Sequence, residues 1–204
     1  MSAALFGIAA NSQLCFAETL LAMSGPLTTD TNPAMLDMVA FGRLDIGGAI
    51  SGLAFLQDSP SNGDKRAVAN LDDALLFVQR THGWLQFFAA LGAYSFPSLG
   101  SAYLGSNRTV SRTYGDIPEA FWKAAIVHGF SLEAGKLPSL IGDEAVFTIQ
   151  NTNVERGLLW NQTPTISRGV QLNYVSGAVS LCLSWNDGFY SNRFNWITGM
   201  ASCP

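Results

Sequence analysis

Apolar side chains recur at every second position through much of this chain, and that period constrains the fold more than any other feature. In residues 178–186, AVSLCLSWN, Val179, Leu181, Leu183 and Trp185 point one way and Ser180, Cys182 and Ser184 the other. Residues 165–175 repeat the pattern, with Ile166, Val170, Leu172 and Tyr174 opposed to Ser167, Gly169, Gln171 and Asn173. Residues 130–137 set Phe130, Leu132 and Ala134 against Ser131, Glu133 and Gly135. Residues 68–80, 119–127 and 194–201 also suit strands, and 41–56 is a noisier, Gly-rich version. The uncharged stretch Gly83–Asn107 is long enough for a transmembrane helix. Gln86, Gly92, Ser95, Pro97, Ser98, Gly100 and Ser101 interrupt it, and Pro97 would break a helix, so it reads as a strand over 83–95 followed by a loop. The expectation is an all-β, antiparallel chain of about eight strands.

The connections between these segments alternate in length. A polar loop, DSPSNGDKR, leaves the strand near 41–56, and the next return is short, around Thr81-His82-Gly83. A long loop over 96–117 is followed by a short return at His128-Gly129. The longest connection, 138–164, is followed by the hairpin turn Ser176-Gly177 and then a medium loop, NDGFYSN. Short turns on one side and long loops on the other are the rhythm of a transmembrane β-barrel, which a soluble sandwich has no reason to keep. A bilayer offers no water to open backbone groups, so strands cross it only when paired in a closed sheet. One face in hydrocarbon also accounts for a chain that is 48% hydrophobic and 13% charged. Tyr94, Phe121, Trp122, Tyr174, Trp185, Phe194 and Trp196 fall near strand ends or on the apolar face, as girdle residues would. Core packing in a β-sandwich would explain these aromatics equally well, and only the loop rhythm separates the two readings.

Several function classes are disfavoured. A net charge of −4 speaks against a general nucleic-acid binder. The cysteines, Cys15, Cys182 and Cys203, form no CxxC or Cys/His cluster, so no metal site is expected. Spacing alone permits a Cys182–Cys203 bridge, although an odd, scattered set makes no disulfide framework. His82 and His128 fall in short turns and belong to no nucleophile motif, and GxGxxG and P-loop patterns are absent. Asp143 and Glu144 are adjacent, which on a strand would send them to opposite faces. No catalytic residue and no cofactor is expected. Residues 1–17, MSAALFGIAANSQLCFA, read either as a degraded signal peptide cleaved before Glu18 or as the frayed start of a chain that begins upstream. Residues 18–40 read as a leader segment and 41–204 as the barrel.

Residues 132–196 carry a more specific likeness. A GK-x-P-x-x-x-G-x-E segment (Gly135–Glu144), an N-x-x-x-E-R-G segment (Asn151–Gly157) and an R-G-V-Q-x-x-Y strand (Arg168–Tyr174) resemble the OmpL-like β-barrel porins of Gram-negative bacteria. Weaker similarity runs back through GWLQFFAALGAYSFPSLG to about Gly48. The resemblance implies an outer-membrane barrel passing small polar solutes by passive diffusion. It also implies lipid around the wall, the barrel-assembly machinery as a partner and a homo-oligomer such as a trimer. Two departures stand out. The chain ends MASCP where such barrels commonly end in an aromatic residue, and the family's barrels are roughly twice this long. The expectation is therefore a minimal closed barrel or, preferred, the N-terminal half of a larger one, a partial barrel with raw edges.

Counting from a periplasmic N-terminus, 138–164 becomes the third external loop, which in general porins folds into the lumen and narrows it. It carries Asp143, Glu144, Glu155 and Arg156, with Arg168 a candidate for the opposite wall of the constriction. Arg43, Asp45, Lys123 and Glu133 are candidate wall charges, because ionisable groups at membrane depth should face water. The bland alternative is that Glu155 and Arg156 only pin the loop. Two other functions compete: a secreted carbohydrate-binding sandwich in which Trp160, Tyr190 and Trp196 stack on sugars, and a structural outer-membrane barrel with a plugged, non-conducting lumen.

Overall fold

The computed structural model describes residues 34–38, 42–60, 62–127, 129–140, 144–177 and 179–187, together with the backbone of 196–201. Nine strands form one sheet in strict sequence order: β1 (Ala34–Met38), β2 (Gly42–Leu56), β3 (Ala67–Arg80), β4 (Leu85–Ala93), β5 (Glu119–Val127), β6 (Phe130–Pro138), β7 (Ile166–Ser176), β8 (Val179–Asp187) and β9 (Trp196–Ala201). Every neighbouring pair is antiparallel. Among the described residues no ladder joins β1 to β9, so the sheet is open, as in a partial barrel. Strands β2 to β9 lie where the two-residue period predicts them. Short β1 falls within the segment expected to be a leader. Its five residues, AMLDM, place Met35 and Leu36 side by side and show no apolar–polar alternation. The loop between β4 and β5 also holds an unanticipated helix, α1 (Ser106–Arg112), and the loop between β6 and β7 holds 3-10 turns at Thr148–Gln150 and Leu158–Gln162. The signal-peptide reading of 1–17, along with His128, Phe194 and Tyr190, lies outside the described residues.

Register converts the alternation into rows that run across the sheet. On the outer face, Phe87, Trp122, Ala134, Val170 and Trp185 are successive cross-strand partners from β4 to β8. The row below contains Leu85, Ala124, Leu132, Leu172 and Leu183. These apolar side chains are uncovered: Trp122 is 50% and Trp185 53% exposed, and Val179, Leu181 and Leu183 are exposed beside them. On the inner face, Gln86, Lys123, Glu133, Gln171 and Ser184 form an equally continuous row, and all but Lys123 are buried. A water-soluble sheet buries its apolar face, whereas along these rows the polar face is buried and the apolar one open.

Two expected girdle residues change place. Phe121 shares the inner face with Lys123 and packs on Phe88, with ring centroids 5.5 Å apart. Tyr94, just past the end of β4, is fully buried and donates its hydroxyl to Gly115 O at 3.1 Å. Parity decides the first and the chain's inward path after β4 the second. Trp122 and Trp185 do occupy the outer face.

Gly135 is one of the glycines that the sheet's backbone requires. Its φ is +144, and an added Cβ would lie 2.3 Å from Ala120 O on the neighbouring strand. Gly47 has open space around its missing Cβ and no positive φ. Gly135→Ala should therefore cost more than about 1 kcal/mol, whereas Gly47→Ala should stay within about 0.5 kcal/mol of the parent. Denaturant unfolding midpoints of the two refolded variants check the contrast.

Candidate functional site: the inner face and the loop packed on it

Lys123, Glu133, Asn173 and Gln171 form a connected network on the inner face. Lys123 Nζ lies 3.5 Å from Glu133 Oε1 across β5 and β6. Asn173 Nδ2 donates to the same Glu133 oxygen at 2.9 Å, and Gln171 Nε2 donates to Asn173 Oδ1 at 2.6 Å. Two-residue spacing puts Gln171 and Asn173 on one face of β7, and register sets Glu133 directly opposite Gln171. Acid, base and amides thus satisfy one another along the concave side, where a buried charge without a partner would be costly. Cys182, on the same face, is disulfide-bonded, while Cys15 and Cys203 lie outside the described residues.

Toward the long-loop end the inner face turns apolar, and a loop covers it. Phe77, Phe88, Phe121 and Leu137 point inward and pack with Val146 and Phe147 from the loop between β6 and β7. Phe147 is fully buried, its ring 6.2 Å from that of Phe77 and 6.1 Å from that of Tyr94. The connection therefore lies against the inner wall of β3 and β4 and does not project away from it.

Its anchor is a β-bulge. Between the pairs Ile50–Ala74 and Gly52–Leu71, β3 advances three residues while β2 advances two. The extra residue breaks the alternation, so the neighbours Asp72 and Asp73 are both buried on the same side. Asp73 Oδ2 accepts the Ile149 N–H at 3.1 Å and the Ser51 hydroxyl at 3.4 Å, and the Ser95 hydroxyl donates to Asp72. Among the described residues Asp73 Oδ1 has no hydrogen-bond partner. Neither aspartate stands among the sequence candidates. The available signal was an Asp-Asp pair inside an otherwise apolar strand, which ideal alternation would divide between the two faces.

Arg156 pins the other end of the loop. It is 1% exposed, its Nη2 donates to Val146 O at 2.5 Å and its Nη1 to Thr148 Oγ1 at 3.3 Å. Its guanidinium lies 4.8 Å from the Trp160 ring centroid and 5.4 Å from that of Phe96. Its backbone N–H donates to Pro97 O and its carbonyl accepts the Leu99 N–H, both at 2.9 Å, which stitches the loop after β6 to the loop after β4. Burial pulls the guanidinium down to about 10 against the opposing influence of Asp73, Asp72 and Glu144, so it stays cationic near neutrality. Glu144 Oε1 accepts the Gly157 N–H at 2.7 Å, closing the loop neck, and Glu155 is half-buried next to Arg156. The Arg156 charge accordingly faces carbonyls and rings, not a passage. Asp143 lies outside the described residues.

The remaining candidates separate by position. Arg43 and Asp45 meet near the β1–β2 turn, with Nε and Oδ1 3.3 Å apart, and the Thr81 hydroxyl also donates to Asp45 at 3.3 Å. Lys123 and Glu133 meet on the inner face, as described. Arg168 shares its face with Val170 and is exposed on the outer side of β7, away from Gln171 and from the loop interior.

Sequence comparison agrees with the architecture. The model of a family described as "Putative beta-barrel porin-2, OmpL-like" matches residues 43–203, from β2 through β9. No curated protein and no solved structure matches significantly. An open, sequentially ordered antiparallel sheet with an apolar outer face and a loop against its inner wall accompanies that match, and the chain belongs to the OmpL-like β-barrel porin family.

Proposed function

We propose that this chain forms the wall of an outer-membrane porin through which small polar solutes diffuse passively, with the loop between β6 and β7 narrowing the passage. Family membership supports a general porin role. The observation that carries the finer reading is the back-to-back arrangement of rows in β4 to β8. The apolar row through Trp122, Val170 and Trp185 suits hydrocarbon, and the polar row through Lys123, Glu133 and Gln171 suits a watered interior. Transport also requires the free edges of β1 and β9 to be covered, by further strands or by another chain, because open backbone groups cannot face lipid. The carbohydrate-binding alternative loses support from the uncovered outer rows and from Trp160, which is 7% exposed beneath Arg156 and offers no sugar platform. The apolar packing of Phe147 on Phe77 favours one second reading, a barrel whose lumen the loop plugs.

Planar-bilayer recording after refolding from detergent tests the proposal. Discrete conductance steps are expected, and a protein that is monomeric and soluble without detergent rejects it. Arg156→Gln should release the loop neck, speeding hydrogen exchange at the Ile149 amide and raising the step size. Steps absent from both proteins would favour the plugged barrel. The membrane-facing assignment has its own check. Leu183→Lys, on the outer face, should lower stability in vesicles by about 2–4 kcal/mol, and Ser180→Lys, on the inner face of the same strand, by much less, as read from urea unfolding.

A further inference from the structure

Above the outer aromatic row the sheet changes character. One step beyond Trp122, Val170 and Trp185, toward the long loops, the outward positions on β5, β6 and β7 are Ala120, Lys136 and Arg168, which are direct cross-strand partners. Two cations therefore stand side by side just above the apolar rows. Like charges placed opposite each other in a sheet repel, and among the described residues neither forms an ion pair. Lys136 Nζ is held by two loop carbonyls, Tyr114 O at 2.9 Å and Ile117 O at 2.6 Å, which fixes the ammonium beside Arg168. The neighbouring acid Asp187 has an oxygen engaged by the Arg168 backbone N–H at 2.7 Å and makes no ion pair with the Arg168 guanidinium.

These residues border a cavity of about 520 Å³. Gly135 and Gly169, also cross-strand partners, contribute to its lining, Val170 and Ala120 make its apolar walls, and the Asp187 carboxylate, held by the Arg168 backbone N–H, also borders it. The volume falls in the range of small-ligand pockets. Its two cations lie at the end toward the long loops, and its apolar walls lead down to the row of Trp122 and Trp185. Such an arrangement matches an amphiphile with an anionic head and a hydrocarbon tail, oriented as a lipid is at a bilayer surface. A planar guanidinium on a short reach is well suited to phosphate oxygens, which accept paired N–H donors.

We propose that this outer-face pocket binds the phosphate-bearing headgroup of a membrane lipid, with Arg168 and Lys136 neutralising the phosphate and an acyl chain lying over Val170 and Trp185. The inference rests on the membrane-facing reading of the outer rows. It goes beyond general contact with lipid by naming a site, a headgroup chemistry and a level in the bilayer.

The test uses the full chain refolded into phosphatidylcholine nanodiscs doped with lipid A, with retained lipid A measured after purification. Arg168→Gln leaves the Lys136 contacts in place and should lower retention about tenfold, the loss of one charge-assisted phosphate contact. Arg168→Lys should recover part of it, and dephosphorylated lipid A should be retained no better by the parent than by Arg168→Gln. Heat-modifiable gel migration verifies that each variant is folded. Equal retention of lipid A by the parent and Arg168→Gln overturns the site, as does retention of dephosphorylated lipid A by the parent equal to its retention of lipid A. Full displacement of lipid A by inorganic phosphate overturns the lipid assignment in favour of a free-anion site. Absence of conductance in the parent, with phosphate-dependent retention intact, removes the porin reading and leaves the lipid site standing.

Discussion

The backbone of each strand here is satisfied sideways, by its two neighbours, and that leaves both side-chain faces free to meet different surroundings. From β4 to β8 the ladder is regular enough that one apolar row and one polar row each cross five strands without a break. The outward exposure of Trp122 and Trp185, with Gln171 and Asn173 buried on the opposite face, follows from that single geometric fact.

The inner face has two zones with different chemistry. Near the short turns it is polar and self-paired through Lys123, Glu133, Asn173 and Gln171. Near the long loops it is aromatic and covered by Val146 and Phe147. The loop is held there by polar contacts at its ends, not by apolar packing alone. Asp73 accepts its Ile149 amide, and Arg156 ties its neck to the loop after β4. A buried arginine surrounded by carbonyls and rings makes a stiff joint, because removing either side strands polar groups away from water. The bulge at Asp72-Asp73 is what makes the anchor available, since it turns two neighbouring carboxylates to one side.

Most of the strand plan was legible in the chain. The segments 119–127, 130–137 and 178–186 needed only a period of two and the turn residues between them, both of which are local properties. Lys123 and Glu133 stood out singly as charges within apolar strands, and only the register of β5 with β6 pairs them. What escaped was whatever broke the period or was decided at long range. Asp72 was invisible as a partner of Asp73 because a bulge depends on the neighbouring strand. Phe121 and Tyr94 looked like girdle residues because an aromatic carries no mark of the face it occupies. Arg168 looked like a channel charge because its type suggests water, while its parity with Val170 sends it outward.

By itself, then, the sequence determined the strand class, the order of long and short connections, and which residues alternate with which. Those depend on side-chain periodicity and turn chemistry within a few residues. Tertiary structure alone decided where the bulge falls, which aromatics turn inward, and which contacts hold the loop after β6 against the wall. Such outcomes depend on register between strands and on contacts such as Ile149 with Asp73, residues 76 positions apart, and no local pattern encodes a partner that distant.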